Sequence, residues 1–161
     1  MEEDDQLVVL FFVKRINLSA TFLLLVMGQT SFDQKKIIDH WIESSDEDFL
    51  TMMAMFESKR YSWSLFVGHI MIEKLLKAYF VKVNNEFPPL IHNLLRLSEK
   101  CNIELSENQK LFLISVTAFN INGRYDDYKM SFQKTCTPEF TNDWIEQLKE
   151  HRQWIKNLLI P

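Results

Sequence analysis

The stretch from about Arg60 to Asn84 most constrains the fold. On a helical wheel of about 100° per residue, Trp63, Leu65, Phe66, Val67, Ile70, Met71, Ile72, Leu75, Leu76, Ala78, Tyr79 and Phe80 cover nearly every direction. A helix that is apolar all round has no solvent face, so it must be central in a bundle or buried at a subunit interface. The rest of the chain has to supply helices that wrap it.

Punctuation points the same way. Three glycines and four prolines make about 4% of the chain against a usual 12% or so, too few for the turns of a sandwich or barrel. The expected class is all-α. At 161 residues, with 47% apolar and 25% charged side chains, one domain with a short appendage is expected, and neither wholesale disorder nor a polytopic membrane protein fits.

From Ile37 to Phe56 the apolar residues occupy about 160° of a wheel, the pattern of an amphipathic helix, with Asp48 projecting among them. After the central helix, Asn84, Asn85, Pro88 and Pro89 break the chain, and a short helix is expected from about His92 to Lys100. Ser106 and Gln109 form a capping box that opens a helix ending near Asn122 and Gly123. Residues 123–136 lack clear periodicity and predict a functional loop. Thr137, Pro138 and Glu139 begin a last helix with Phe140, Trp144, Ile145, Leu148, Ile155, Leu158 and Leu159 on one stripe.

Residues 1–30 read as an apolar extension outside the functional domain, and residues 31–161 as the domain itself. Segment 7–27 is apolar, but Lys14 and Arg15 interrupt it and Glu2, Glu3, Asp4 and Asp5 precede it, against both a signal peptide and a membrane anchor. Met27 is a candidate alternative initiator.

The formal charge is −4, so no broad positive field exists to hold a DNA duplex, and any polynucleotide contact must be local. Cys101 and Cys136 lack the spacing of a zinc site or a disulfide scaffold. The cytoplasm is the expected compartment, with no metal and no cofactor expected.

The polar residues of the greasy helix carry the chemistry. His69, Glu73 and Lys77 stand four apart on one strip, with Glu ahead of Lys in the favourable order. Lys74 projects between Trp63, Val67 and Ile70, where an ammonium must find a carboxylate, reach outward or face a ligand. Two readings stay open: an ion-pair network, with Lys74 on Asp48 and Glu73 on Lys77 or Arg124, or an anion-binding groove. Arg124 and Tyr125 offer a guanidinium for phosphate beside a ring for a base. His92 reads as a helix opener, His151 as a core histidine and His40 as solvated. No carboxylate-bridged di-metal motif, HExxH, Walker loop or GxSxG occurs.

The run Phe66 to Phe80, FVGHIMIEKLLKAYF, with Glu73, Lys74, Lys77 and Ala78 at this spacing, resembles the second helix of the HEPN (higher eukaryotes and prokaryotes nucleotide-binding) family. Asp48 and Phe49 resemble its acidic-hydrophobic pair, His92 to Leu94 its His-x-Leu segment, and Arg124 to Tyr125 its Arg-Tyr step. The resemblance spans roughly residues 35 to 157.

It implies a four- to five-helix up-and-down bundle, usually a homodimer, often encoded beside a minimal nucleotidyltransferase in a toxin-antitoxin-like module. The implied roles are nucleotide binding or RNA cleavage. Lys74, Lys77, His92, Arg124 and Tyr125 would meet the nucleotide, while Asp48, His69 and Glu73 would form structural ion pairs. The family's ribonucleases carry an Arg and a His separated by four to six residues; the nearest arrangement here, Arg60 to His69, has eight between. A non-catalytic binder of nucleotide, RNA phosphate or a nucleotidyltransferase is therefore the leading expectation. A metal-independent RNase toxin and a structural helical adaptor are its rivals.

Overall fold

The computed structural model describes residues 32–124 and 130–160. Among them are six helices and no strand: α1 (Gln34–Glu57), α2 (Tyr61–Asn84), α3 (Leu94–Lys100), α4 (Glu107–Arg124), α5 (Ser131–Thr135) and α6 (Pro138–Leu159). The helices from Gln34 onward form one compact unit. Segment 1–30, with its candidate initiator Met27, lies outside the described residues, and so does Tyr125. No helix among the described residues is long and apolar enough to cross a membrane.

The all-round apolar helix is the axis of the bundle: α2 packs against α1, α3, α4, α5 and α6. Its Leu65, Met71, Ile72, Leu75, Leu76, Ala78 and Val81 have no solvent exposure. Cross-links give the direction of each neighbour. Ser45 Oγ donates to the Met71 carbonyl at 2.9 Å and Ser64 Oγ to the Met52 carbonyl at 2.8 Å, so α1 runs antiparallel to α2. Gly123 meets Phe66 while Asn120 meets His69, so α4 is antiparallel as well. Leu148 lies over Gly68, and Lys82 Nζ donates to the Leu158 carbonyl at 2.9 Å, which sets α6 parallel to α2. The four long helices thus alternate up and down, as short connections favour.

Local signals set the helix ends. The Ser106–Gln109 box closes from both sides: Gln109 N–H donates to Ser106 Oγ at 3.3 Å, and Ser106 N–H to Gln109 Oε1 at 2.9 Å. Thr137 Oγ1 accepts from Phe140 N–H at 3.2 Å, with Pro138 in the first turn of α6. Two expectations are corrected. His92 does not open α3; Asn93 does, its carboxamide oxygen accepting from Arg96 N–H at 2.9 Å. Stretch 123–136 is not loop throughout, because α4 continues to Arg124 and residues 131–135 form α5.

His151 is only half-buried rather than a core residue. Its ring stacks on Phe112 with centroids 3.5 Å apart, and its Nδ1–H donates to the Gln147 carbonyl at 2.8 Å. Cys101 and Cys136 are both buried, and burial pushes the Cys101 thiol up to about 12.

Candidate functional site

Three polar side chains converge on one buried carboxylate. Glu73 sits near the middle of α2, where its first oxygen meets Lys77 Nζ at 2.8 Å and its second meets His69 Nε2 at 3.1 Å. His92, from the connection that leads into α3, brings its Nδ1 to 3.1 and 3.2 Å from the two oxygens. The side chains of Glu73 and Lys77 are each 9% exposed, whereas that of His92 is 66% exposed. The cluster therefore runs from the bundle interior to its surface.

Its electrostatics favour the charged carboxylate. Burial by itself would raise the Glu73 carboxyl. Hydrogen bonds from His69, Lys77 and His92, with the Lys77 charge, more than offset that and lower it from 4.5 to about 2. Lys77 also lies 5.1 Å from the centroid of the Trp41 ring on α1, so its ammonium has an anion on one side and a ring face on the other.

His69 is fully buried and its tautomer follows from its neighbours. Its Nδ1 has no hydrogen-bond partner among the described residues, so an unpaired lone pair there costs less than an unpaired N–H. The proton belongs on Nε2, which donates to Glu73. The Asn120 carboxamide lies 3.0 Å from the same nitrogen. With its amide nitrogen turned toward Nε2 it would compete for that proton's place. A half-turn presents oxygen instead and removes the conflict.

Asn120 is the residue that sequence reasoning missed. It shares the inward face of α4 with Phe112, Leu113 and Val116 and is 6% exposed. A polar side chain at helical spacing among apolar ones was the available signal, the same one that singled out Asp48 on α1.

Lys74 faces the other way. Its Nζ meets Asp48 Oδ2 at 2.6 Å and the Ser44 carbonyl at 3.4 Å, both on α1, so it stands apart from the Glu73 cluster. Burial raises the Asp48 carboxyl, and the hydrogen bond and charge of Lys74 offset this only in part.

Arg124 ends α4 one turn beyond Asn120. Its Nε donates to the Asn120 carbonyl at 3.1 Å, and its guanidinium lies 5.8 Å from the Phe66 ring centroid. Gly123 allows this approach, since a Cβ there would come within 2.8 Å of Phe66 Cβ. A continuous chain of contacts thus runs His92, Glu73, His69, Asn120, Arg124, with Lys77 joined to it and Lys74 outside it.

The arrangement has a definite chemical capacity. An imidazole whose Nδ1–H is held by an ionised carboxylate keeps Nε2 for solvent or ligand. Among the described residues, no group of three or more His, Cys, Asp or Glu is placed to hold a metal ion. A groove of about 670 Å³ between α4 and α6 is lined by Phe112, Trp144, His151 and Trp154, with no Lys or Arg among the described residues of its walls, and lies away from this cluster.

The HEPN domain model matches residues 38–158, most of the chain. Neither the curated proteins nor the solved structures compared with the chain contain a match. Function in the matched family is nucleotide- or RNA-related, and its members often dimerise. With the all-helical bundle and the match over residues 38–158 together, the chain belongs to the HEPN domain family.

Proposed function

We propose that this protein binds a phosphate group of a nucleotide or RNA on the face where His92 and Arg124 flank the Glu73 network, without cleaving it. The observation that carries the reading is His92 itself, two-thirds exposed yet anchored through Nδ1 to a buried carboxylate. Lys74 and Lys77 are paired with Asp48 and Glu73, and the contact with phosphate is assigned to the exposed His92 imidazole and to the Arg124 guanidinium.

In this reading the protein works as a cytoplasmic homodimer beside a minimal nucleotidyltransferase. The exposed apolar stripe of Leu111, Ile114 and Ile121 on α4 supports a protein partner. Titration with ATP, GTP and a short RNA, followed by thermal unfolding, tests the binding. A nucleotide that binds the folded state stabilises it by about 2.7 kcal/mol at one hundred times Kd. His92→Ala and Arg124→Ala are each expected to weaken that effect at least tenfold in apparent Kd. No shift with any of these at millimolar concentration would leave a structural adaptor as the better reading.

One observation favours a ribonuclease instead: the carboxylate-backed His92 has the geometry of an acid–base group. Incubation with total RNA in EDTA separates the two. Intact RNA is expected, and cleavage abolished by His92→Ala would transfer the assignment to the enzyme.

A further inference from the structure

The N-terminal half of α2 carries a second set of groups suited to nucleic acid, and none of them belongs to the Glu73 network. Trp63 is 48% exposed, a large area for an indole within the most buried helix of the bundle. Its ring meets Phe66 edge-on, with centroids 5.7 Å apart and planes at 80°. Phe66 is the ring under the Arg124 guanidinium.

On its other side, Trp63 helps to line a pocket of about 190 Å³ with Lys59, Arg60, Ser62 and Gln133. Among the described residues, its walls hold two cations and no carboxylate. Lys59 holds a left-handed backbone conformation, φ 60°, in the sharp turn between α1 and α2 that places it beside Arg60.

These groups line up. Along α2 the order is the Lys59–Arg60 pocket, Trp63, Phe66 with Arg124, then the His69–Glu73 cluster with His92. From Arg60 to Glu73 the helix rises about 20 Å, longer than one nucleotide. Cations at both ends, with aromatic faces between them, are the elements of a track in which phosphates meet charge and unpaired bases meet rings. A duplex keeps its bases stacked inside and calls for a broad positive surface, which a chain of net charge −4 does not offer.

We infer that the ligand is a single-stranded oligonucleotide, which runs from His92 and Arg124 across Trp63, with Trp63 stacking a base and the Lys59–Arg60 pocket taking a further phosphate. This rests on the phosphate-binding reading above and extends it from one nucleotide to several.

Fluorescence anisotropy and Trp quenching on the full chain, with AMP, a four-nucleotide oligo(A) RNA and its DNA counterpart as probes, test it. Wild-type protein is expected to bind a tetranucleotide at least fivefold more tightly than AMP. Trp63→Ala should erase that gain and leave AMP affinity unchanged, Trp63→Phe should retain part of it, and Arg60→Gln should weaken the tetranucleotide alone and flatten its salt dependence. The RNA and DNA arms show whether the 2′-hydroxyl is read, and tight binding of either supports the track.

If AMP binds but the tetranucleotide binds no tighter, or if the gain survives Trp63→Ala, the track is overturned while the phosphate site stands. If neither AMP nor the tetranucleotides bind, the phosphate-binding reading itself falls. Trp63 is half exposed, so its replacement should leave the fold intact, which far-UV circular dichroism of each variant verifies.

Discussion

Glu73→Ala is expected to destabilise the protein by about 3–5 kcal/mol, a large share of the roughly 5–15 kcal/mol that holds a domain of this size together. The loss comes from what stays behind. Lys77, 9% exposed, would keep an ammonium in the bundle with no carboxylate beside it, and the fully buried His69 would lose the charged acceptor of its Nε2 proton. Urea unfolding measures the effect. The double variant Glu73→Leu/Lys77→Met should recover most of it, because an apolar pair of similar volume carries no buried charge. A single-variant loss under about 1 kcal/mol would mean that the cluster is far wetter than its burial indicates.

Leu148→Ala is expected to cost nearly as much, in the upper half of the roughly 2–5 kcal/mol seen for buried Leu-to-Ala changes. Leu148 on α6 has no exposure and rests directly over Gly68 of α2, where an added Cβ would come within 2.6 Å of Leu148 Cδ1. The hollow at Gly68 is filled by Leu148, and a glycine has no side chain that could move into the void left by truncation. Chemical denaturation of Leu148→Ala, and of Leu148→Ala with Gly68→Ala, checks the argument. The second substitution should restore part of the loss in the truncated background, by filling space and by favouring helix. In the wild-type background the same methyl would be forced against Leu148 Cδ1 and against Met52 Sδ at 3.1 Å.

Much of the fold was legible because its strongest signals are local. The all-round apolar surface of Tyr61–Asn84 named the central helix, and the Ser106 and Thr137 caps named the starts of α4 and α6. The start of α3 differs from the expected one because a histidine three residues after a diproline is a weaker signal than the asparagine that follows it; Asn93 supplies the side-chain acceptor. The five-residue α5 is too short to show a helical period of its own.

The site was legible in its charges and not in its connections. A wheel shows that Asp48 and Lys74 lie on inward faces and that Glu73 and Lys77 share a strip, so their pairing could be read from residue spacing. A wheel does not show which side of α2 faces which helix. The separation of Lys74, turned to Asp48 of α1, from Glu73, turned to His92, is a property of the packed bundle. Asn120 escaped notice because an uncharged amide on an apolar stripe attracts less attention than a carboxylate, although the physical demand for a partner is the same.

The central claim is that Glu73 is a buried, ionised anchor on which His92 depends. A carboxyl held at about 2 against its ordinary 4.5 contributes stability that is fully present above pH 4.5 and is lost as pH falls toward 2. That difference amounts to about 3 kcal/mol. The most direct measurement is a carbon-13 NMR titration of the Glu73 side-chain carboxyl in the folded protein. A midpoint near 2 is the expected result; a midpoint near 4.5 would contradict the account, because it would show a carboxylate no better held by His69, Lys77 and His92 than by water.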